Sequence, residues 1–135
     1  MTNAEGRMQN AELKDNRRHD IYERAFVFAC RIVRLYRQLV RDRAIAPLAL
    51  QLLRAGTGIG SNLEEAEAGQ SKADFISKCR ISLKEARESH YWLRLFIATE
   101  VMKPAQLQPL ISEANEIVSI LTAIVKKASQ TPRRA

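Results

Sequence analysis

The sequence predicts an all-α protein, an antiparallel up-and-down four-helix bundle. Four stretches carry apolar residues at spacings of three and four, the period of an amphipathic helix. Their connections are short and marked by glycine or proline, and no stretch alternates in the manner of a β-strand. With 135 residues and 46% hydrophobic content, the chain can bury one core. We assign residues 20–129 to the bundle, residues 1–19 to a mobile amino-terminal arm and residues 130–135 to a basic tail.

The first helix is expected to begin near Asp20, because the preceding residues are polar and lack apolar periodicity. Its predicted core stripe consists of Tyr22, Ala25, Phe26, Ala29, Ile32, Val33, Tyr36, Leu39 and Val40. Beside that stripe Ile21, Phe28 and Leu35 recur every seven residues. They widen the apolar face beyond the need of one neighbour and predict a second contact surface.

Roughly opposite the apolar stripe, a helical wheel groups arginines without an intervening acid. They are Arg24, Arg31, Arg34, Arg37 and Arg41. A solvated helix face explains most charge runs of this kind. The choice of arginine over lysine each time also suits phosphate or carboxylate, because the planar guanidinium can bind either with two hydrogen bonds.

The second helix is predicted to start at Ala46-Pro47, since proline is accepted in a first helical turn. Gly56, Gly58 and Gly60 then lie inside it, and each costs about 1 kcal/mol relative to alanine. Close approach of a neighbouring backbone is the simplest compensation. Gly56 and Gly60 face the inner stripe, whereas Gly58 points elsewhere, as expected if another subunit packs there. A phosphate-binding glycine loop is excluded because the spacing and a preceding strand are missing.

A corner separates the second helix from the third. Gly69 suits a helix C′ position, and Ser71 with Asp74 forms a capping pattern. The third helix is expected to run from about Lys72 to Glu100. One flank carries a basic strip with one aromatic residue: Arg80, Lys84, Arg87, Tyr91 and Arg94. This strip fits nucleic acid, or pairing between subunits with Glu64, Glu65 and Glu67.

The fourth helix opens after Lys103-Pro104 and carries the most regular apolar stripe, from Leu107 to Ala128. Thr131-Pro132 is expected to end it. Lys126 and Lys127 suit the negative end of the helix dipole, and Arg133 and Arg134 continue the basic tail. These charges fit a helix cap and a binding role equally well.

The composition limits the function. The net charge of +7 is concentrated on the first helix, the third helix and the tail, which predicts a basic surface. Neither an apolar stretch of membrane-spanning length nor a signal peptide is recognisable, so a cytoplasmic location without membrane contact is expected. Cys30 and Cys79 are predicted to be free thiols. No arrangement typical of catalysis, metal binding or a cofactor site is present, so we expect no enzyme, metal or cofactor.

A family motif spans the second and third helices. It consists of the run Ile59–Ala66, then Ser71, Asp74-Phe75 and Ser82–Glu85. It resembles the motif of the four-helix-bundle proteins encoded in intervening sequences of bacterial 23S rRNA genes, which usually reads S-I-P-S-N-I-A-E-G, then S-x-x-x-F and G-S-L-x-E. Here Gly60 replaces the proline and Glu65-Ala66 the final Glu-Gly. In layout the resemblance extends from about Tyr22 to Val125.

The resemblance implies a small non-enzymatic bundle that assembles into a ring-like homo-oligomer, typically a pentamer, with a basic surface. The accessory variability proteins of diversity-generating retroelements are similar in architecture, and there such a ring works with a reverse transcriptase and its RNA. The motif positions and the three glycines are assigned to packing and subunit contact. These residues are Gly56, Gly58, Gly60, Ser61, Asn62, Glu65, Ser82 and Glu85.

Two functions remain open. In the first, an oligomeric scaffold neutralises phosphates of RNA or DNA, with or without a docked partner enzyme. The cations assigned to this role are Arg24, Arg31, Arg34, Arg37, Arg41, Arg80, Lys84, Arg87 and Arg94. In the second, the protein is an adaptor in which these cations pair with acidic protein surfaces. Salt dependence separates the two, because binding to nucleic acid weakens steeply with salt.

Overall fold

Four α-helices form the fold in a computed structural model of the chain, which describes residues 3–69 and 71–130, and their side chains from residue 21 onward. The helices are α1 (Asn3–Leu39), α2 (Ala46–Ala68), α3 (Lys72–Ala98) and α4 (Pro104–Gln130). The described residues contain no β-strand. The predicted all-α, up-and-down four-helix bundle is confirmed.

The order of packing around the bundle follows the order of the chain. α1 packs on α2, α2 on α3 and α3 on α4, and a less extensive contact between α4 and α1 closes the bundle. Within the described part of the chain, neither α1 and α3 nor α2 and α4 approach each other closely along their backbones. These two pairs therefore lie diagonally across the bundle, and their outward faces point in opposite directions.

All four helices contribute to one core. Its largest fully buried side chains are Phe28, Phe96, Ile21, Ile32, Leu52, Ile59, Leu63, Leu93, Leu107, Ile117 and Leu121. These residues recur at three- and four-residue spacings on each helix, as the apolar stripes require. Burial of such side chains is the main favourable contribution to folding.

The α1 helix starts earlier than the sequence predicts. Its backbone is helical from Asn3, so the expected start near Asp20 is wrong. Alanine, glutamate, leucine, lysine and arginine are frequent in this segment and favour helix even without an apolar stripe. The mobility of residues 1–19 and the domain boundaries stay predictions. The tail from residue 131 onward, with the predicted stop at Thr131-Pro132, lies outside the described residues.

The orientation of α1 also differs from the prediction. Ile21, Phe28 and Leu35, predicted as a second contact surface, are buried in the core. Phe26 and Val33, predicted as core residues, are 60% and 41% exposed. The reason is that apolar residues cover more than half of the circumference of α1, so their periodicity alone does not determine which sector turns inward.

The corner between α2 and α3 forms largely as predicted. Ser71 is the N-cap of α3, and its Oγ accepts a hydrogen bond of 3.1 Å from the backbone N–H of Asp74. Gly69 follows the end of α2, but its backbone is extended, with φ −64° and ψ 149°, rather than left-handed. At the other end of α3 the helix stops at Ala98, and Glu100 takes a left-handed conformation with φ 60°.

Candidate nucleic-acid interface and self-association surface

The first basic surface, the α1 basic face, consists of Arg31, Arg34, Arg37 and Arg41. Arg34, Arg37 and Arg41 are exposed, and Arg31 is half-buried. Among the described residues, no carboxylate lies within ion-pair distance of these four. Their charges are therefore available to an external anion.

Arg24 differs from the other α1 arginines. Its guanidinium forms a partly buried ion pair with Glu113 of α4, which ties the first and last helices together. Glu23 is exposed and lies about three helical turns before Arg34, so it shares the side of the α1 basic face. The predicted sector without an acid is thus restricted to the part of α1 from Arg31 onward.

Apolar side chains lie exposed beside this basic face. Phe26 and Val33, two turns apart on one side of α1, form the α1 apolar patch, with exposed fractions of 60% and 41%. Val27, 44% exposed, lies closer to the arginines. Large exposed apolar side chains grouped together mark interaction sites on soluble proteins. The α1 apolar patch is therefore a candidate contact surface, on a different side of α1 from the one predicted.

The second basic surface, the α3 strip, contains Arg80, Lys84, Arg87, Tyr91 and Arg94. All five side chains are exposed. Because α1 and α3 are diagonal, the α3 strip and the α1 basic face lie on opposite sides of the bundle. The nine cations predicted as one interface thus form two separate surfaces within one chain, with Arg24 ion-paired at the edge of one of them.

Histidine adds no charge near the α3 strip at neutral pH. Partial burial lowers the pKa of His90 from its usual 6.5, and the neighbouring charge of Arg94 lowers this pKa further. The imidazole is consequently neutral at pH 7. His90 therefore does not add to the positive charge of the arginines and the lysine in the strip.

An open groove adjoins the amino-terminal half of the α3 strip. It has a volume of about 550 Å³ and lies between α3 and the end of α4. Its lining residues are Ala73, Ile76, Ser77, Arg80, Ile81, Lys84 and Ser129. The Arg80 guanidinium donates a long hydrogen bond of 3.5 Å to the Ser129 hydroxyl, which links the two helices across the groove.

The predicted packing motif lies along the seam between α2 and α3. The buried Ser82 hydroxyl of α3 donates a 2.9 Å hydrogen bond to the carbonyl of Ile59 in α2. In α2 itself, Ser61 and Asn62 both donate to the carbonyl of Gly58, at 3.2 and 2.8 Å. These contacts within one chain account for the serine and asparagine positions without a second subunit.

Glutamates complete this seam. Glu65 of α2 forms a 2.8 Å ion pair with Lys78 of α3, and this hydrogen-bonded pairing raises the pKa of Lys78. Gly58 faces Glu85 of α3: a Cβ added at Gly58 would lie 3.3 Å from the Glu85 Cγ. Gly58 therefore does not point at another subunit as predicted. Desolvation by partial burial raises the pKa of Glu85, and the neighbouring Glu88 raises it further.

The other two glycines of α2 face α1. A Cβ at Gly56 would lie 2.8 Å from both Cγ atoms of the buried Ile32, so the helices approach closely there. At Gly60 the nearest atom, the Ala25 carbonyl carbon, would be 3.6 Å away, an ordinary contact. Both glycines lie on the inner side of α2, which agrees with the sequence interpretation.

The described residues include no group of three or more His, Cys, Asp and Glu side chains placed to hold a metal ion. Cys30 and Cys79 are not joined in a disulfide; the former is half-buried and the latter buried. None of the helices, as far as they are described, has an apolar stretch of the length needed to cross a membrane.

Comparison with known families identifies the fold group. The sequence model of the family described as 23S rRNA-intervening sequence protein matches residues 17–123. The chain belongs to this family. The match covers most of α1, all of α2 and α3 and most of α4, so it includes both basic surfaces and the α2–α3 seam.

A solved structure supports this membership in the 23S rRNA-intervening sequence family. It is the 1.70 Å crystal structure of a protein of unknown function from the S23 ribosomal protein family of Bacteroides thetaiotaomicron VPI-5482. The two chains are 43% identical, and the match covers 78% of this chain and 98% of that one with a TM-score of 0.75. None of the functionally curated proteins matches the chain.

Sequence reasoning missed two surface features of this family member. The groove depends on how α3 and α4 meet, and only the apolar residues Ile76 and Ile81 on the outer side of α3 gave a signal for it. The α1 apolar patch was not predicted, because the periodicity of α1 places Phe26 and Val33 in the core stripe. In both cases the sequence contains the side chains, but the orientation of a helix determines what they contact.

Proposed function

We propose that this member of the 23S rRNA-intervening sequence family is a non-enzymatic, self-associating scaffold of the cytoplasm that binds nucleic acid through phosphates. The observation that carries the proposal is the α3 strip, whose four cations are exposed. No carboxylate in the described part of the chain lies within ion-pair distance of them. Unpaired, aligned cations attract a polyanion over a distance of about 10 Å at moderate salt.

The α1 basic face provides a second set of cations on the opposite side. It differs from the α3 strip because the α1 apolar patch adjoins it. Apolar contact with flanking arginines is typical of protein interfaces, in which arginine and aromatic residues are enriched. We therefore assign α1 to self-association, with nucleic-acid contacts at its exposed arginine rim, and α3 to nucleic acid alone.

A second copy of the chain is a chemically suitable partner for α1. Glu64 and Glu67 of α2 are exposed on the same molecule, and in the described part of the chain no cation lies within ion-pair distance of them. They can complement the arginine rim of a neighbouring copy while apolar surfaces meet. Contact between two different patches of identical subunits closes into a ring when the rotation permits. The pentamer and the reverse-transcriptase partnership rest on family resemblance and are part of the proposal.

The adaptor function is the alternative, and the exposed Phe26 favours it. An aromatic side chain that is 60% exposed, on the helix that carries the α1 basic face, also suits an acidic amphipathic partner protein. In that case the basic residues serve protein contacts only. The two functions predict different affinities for nucleic acid and different responses to salt.

The test is a salt titration of binding to single-stranded RNA and duplex DNA, with light scattering to follow the assembly state. Two matched variants remove three cations each: Arg31, Arg34 and Arg37 to glutamine on α1, and Arg80, Lys84 and Arg87 to glutamine on α3. The parent should show a steep log–log salt slope, and three lost duplex contacts should flatten it by about 2.7. We expect the larger effect for the α3 variant.

The proposal fails if the parent binds neither RNA nor DNA at low salt, or if both triple variants retain the parental slope. The first result leaves the adaptor as the better description, and the second shows that neither basic surface is the binding site. Circular dichroism provides the control for folding. The three cations replaced on α3 are exposed, so their replacement should leave the helix content unchanged.

A further inference from the structure

The α3 strip has the length of a short single strand. Arg80 and Arg94 lie at its ends, about 21 Å apart along the helix axis at a rise of about 1.5 Å per residue. A stacked strand advances about 3.4 Å per nucleotide, so the strip matches about six nucleotides, or fewer when the strand is extended. Its cations can therefore contact several successive phosphates.

Tyr91 distinguishes this surface from a plain basic face. The ring is 49% exposed and lies between Arg87, one turn before it, and Arg94, one turn after it. It packs in a T-shaped arrangement on Trp92, with ring centroids 5.3 Å apart. Trp92 is half-buried, and its indole N–H donates a 3.4 Å hydrogen bond to Glu88. The tyrosine is thus both supported and open to solvent.

The groove adds an apolar surface beside the α3 strip. Ala73, Ile76 and Ile81 give it apolar walls, and Ser77 and Ser129 add hydroxyl groups. Arg80 and Lys84 line the same groove and belong to the strip, so a phosphate bound there lies next to the apolar walls. This combination of aliphatic walls, hydroxyls and cations suits a nucleotide more closely than a phosphate alone.

From these three features we infer that the outward face of α3 binds single-stranded nucleic acid, with one base stacked on Tyr91 and another in the groove. This inference rests on the proposed nucleic-acid function and specifies its substrate class. Base–aromatic stacking is open only to unpaired bases, whereas a duplex offers the strip its phosphates alone. The exposed aromatic residue of α1 does not compete, because the residues one turn from Phe26 are Tyr22, Glu23, Ala29 and Cys30, none of which is a cation.

The experiment measures fluorescence anisotropy of a labelled single-stranded oligonucleotide of about 12 nucleotides, and of its duplex, at about 150 mM salt. Tyr91→Ala removes the ring, and Tyr91→Phe is the matched control that retains it. Stacking of one base predicts that Tyr91→Ala weakens single-strand binding by about 5- to 150-fold. We expect Tyr91→Phe to remain near the parent, and duplex binding to change by less than about twofold in both variants.

Ile81→Ser tests the groove without touching the Tyr91–Trp92 pair and applies even if Tyr91→Ala proves unstable. It should weaken single-strand binding and leave duplex binding unchanged. Equal losses on single strand and duplex, or no loss in either variant, would overturn the inference while nucleic-acid binding itself stands. Competition with poly-glutamate, a polyanion without bases, is a further test. If it displaces the oligonucleotide equally well from the parent and from Tyr91→Ala, the ring does not contribute to single-strand binding and the inference is overturned. A parent that binds no nucleic acid overturns the proposed function as well.

Discussion

At the scale of single residues, the seam between α2 and α3 shows how polar groups are accommodated inside a bundle. Ser82 is fully buried, and its hydroxyl donates to a helix carbonyl of α2. Glu85, one turn further on, is half-buried, and its charged form is disfavoured by desolvation. The Ser82 hydroxyl therefore has a hydrogen-bond partner within the chain, whereas the charged form of Glu85 is electrostatically unfavourable at neutral pH.

We predict that Glu85→Gln stabilises the isolated chain at pH 7. The pKa of Glu85 is raised in the fold above its usual 4.5. The contribution of the protonated Glu85 side chain to stability is therefore fully present below pH 4.5 and is lost as the pH rises through the folded pKa. The gain should stay below about 1 kcal/mol because water screens the side chain. Thermal melts between pH 4 and 8 should show the advantage at pH 7 and its disappearance near pH 4.5, with the exposed Glu116→Gln as control. A lower Tm for Glu85→Gln at pH 7 would contradict this account.

At the scale of helices, the contact between α1 and α2 involves two glycines of α2, which have no side chain. Gly56 lies so close to Ile32 that a methyl group would overlap it, whereas Gly60 leaves room beside Ala25. Both contacts are consistent with the rotation of α1, in which Ile21, Phe28 and Leu35 face inward and Phe26 and Val33 lie outside.

The two glycines therefore predict opposite effects of the same substitution. Gly56→Ala gains about 1 kcal/mol of helix propensity but overpacks a buried isoleucine at about 1 to 3 kcal/mol, so a net loss of up to about 2 kcal/mol is expected. Gly60→Ala should gain up to about 1 kcal/mol, because its methyl makes an ordinary contact. Urea denaturation of both variants measures the difference. Equal midpoints for the two variants would argue against the close approach at Gly56.

The starts of α2, α3 and α4 were predictable from the sequence, whereas the orientation of α1 was not. α2 and α4 begin as predicted, because Pro47 and Pro104 mark their first turns, and the Ser71 cap defines the start of α3. The direction in which α1 faces was not predictable. Its apolar residues leave several inward sectors possible, and the choice depends on the space that the glycines of α2 leave free.

The residues of the candidate surfaces were predictable from the sequence, but their arrangement on the folded protein was not. Exposure of the α3 strip follows from its position opposite the buried face of one helix, which a helical wheel shows. The separation of the two basic surfaces, the Arg24–Glu113 pair and the groove are contacts between helices or consequences of bundle order. Such features need the relative positions of helices that the local sequence pattern does not contain.

At the scale of the whole molecule, the two outward faces of the diagonal helices carry different chemistry. α1 combines cations with exposed apolar side chains, whereas α3 combines cations with one tyrosine and a groove. This difference is the basis of the proposed division of the surface, in which copies of the chain would meet through α1 and nucleic acid would bind along α3.

We predict that the protein is larger in solution than its 15.3 kDa chain and that Phe26 contributes to this association. Light scattering at micromolar concentration should give several times the chain mass. Replacing Phe26 and Val33 by glutamine should shift the protein towards monomers, since burying one such side chain contributes about 1.5 to 3 kcal/mol. Ile81→Gln, on the outer side of α3, is the matched control and should leave the mass unchanged. A monomeric parent, or an unchanged mass for the Phe26 and Val33 variant, would contradict the assignment of α1.

The order of packing around the bundle also determines how the conformational entropy of folding is distributed. Three of the four helix contacts join neighbours along the chain, so they form by closing short connections. Only the α1–α4 contact, which includes the Arg24–Glu113 pair 89 residues apart in sequence, requires closure of nearly the whole bundle. It is also the least extensive contact. The fold therefore has the low contact order of rapidly folding helical bundles, and the costly loop closure falls on the seam that contains the Arg24–Glu113 ion pair.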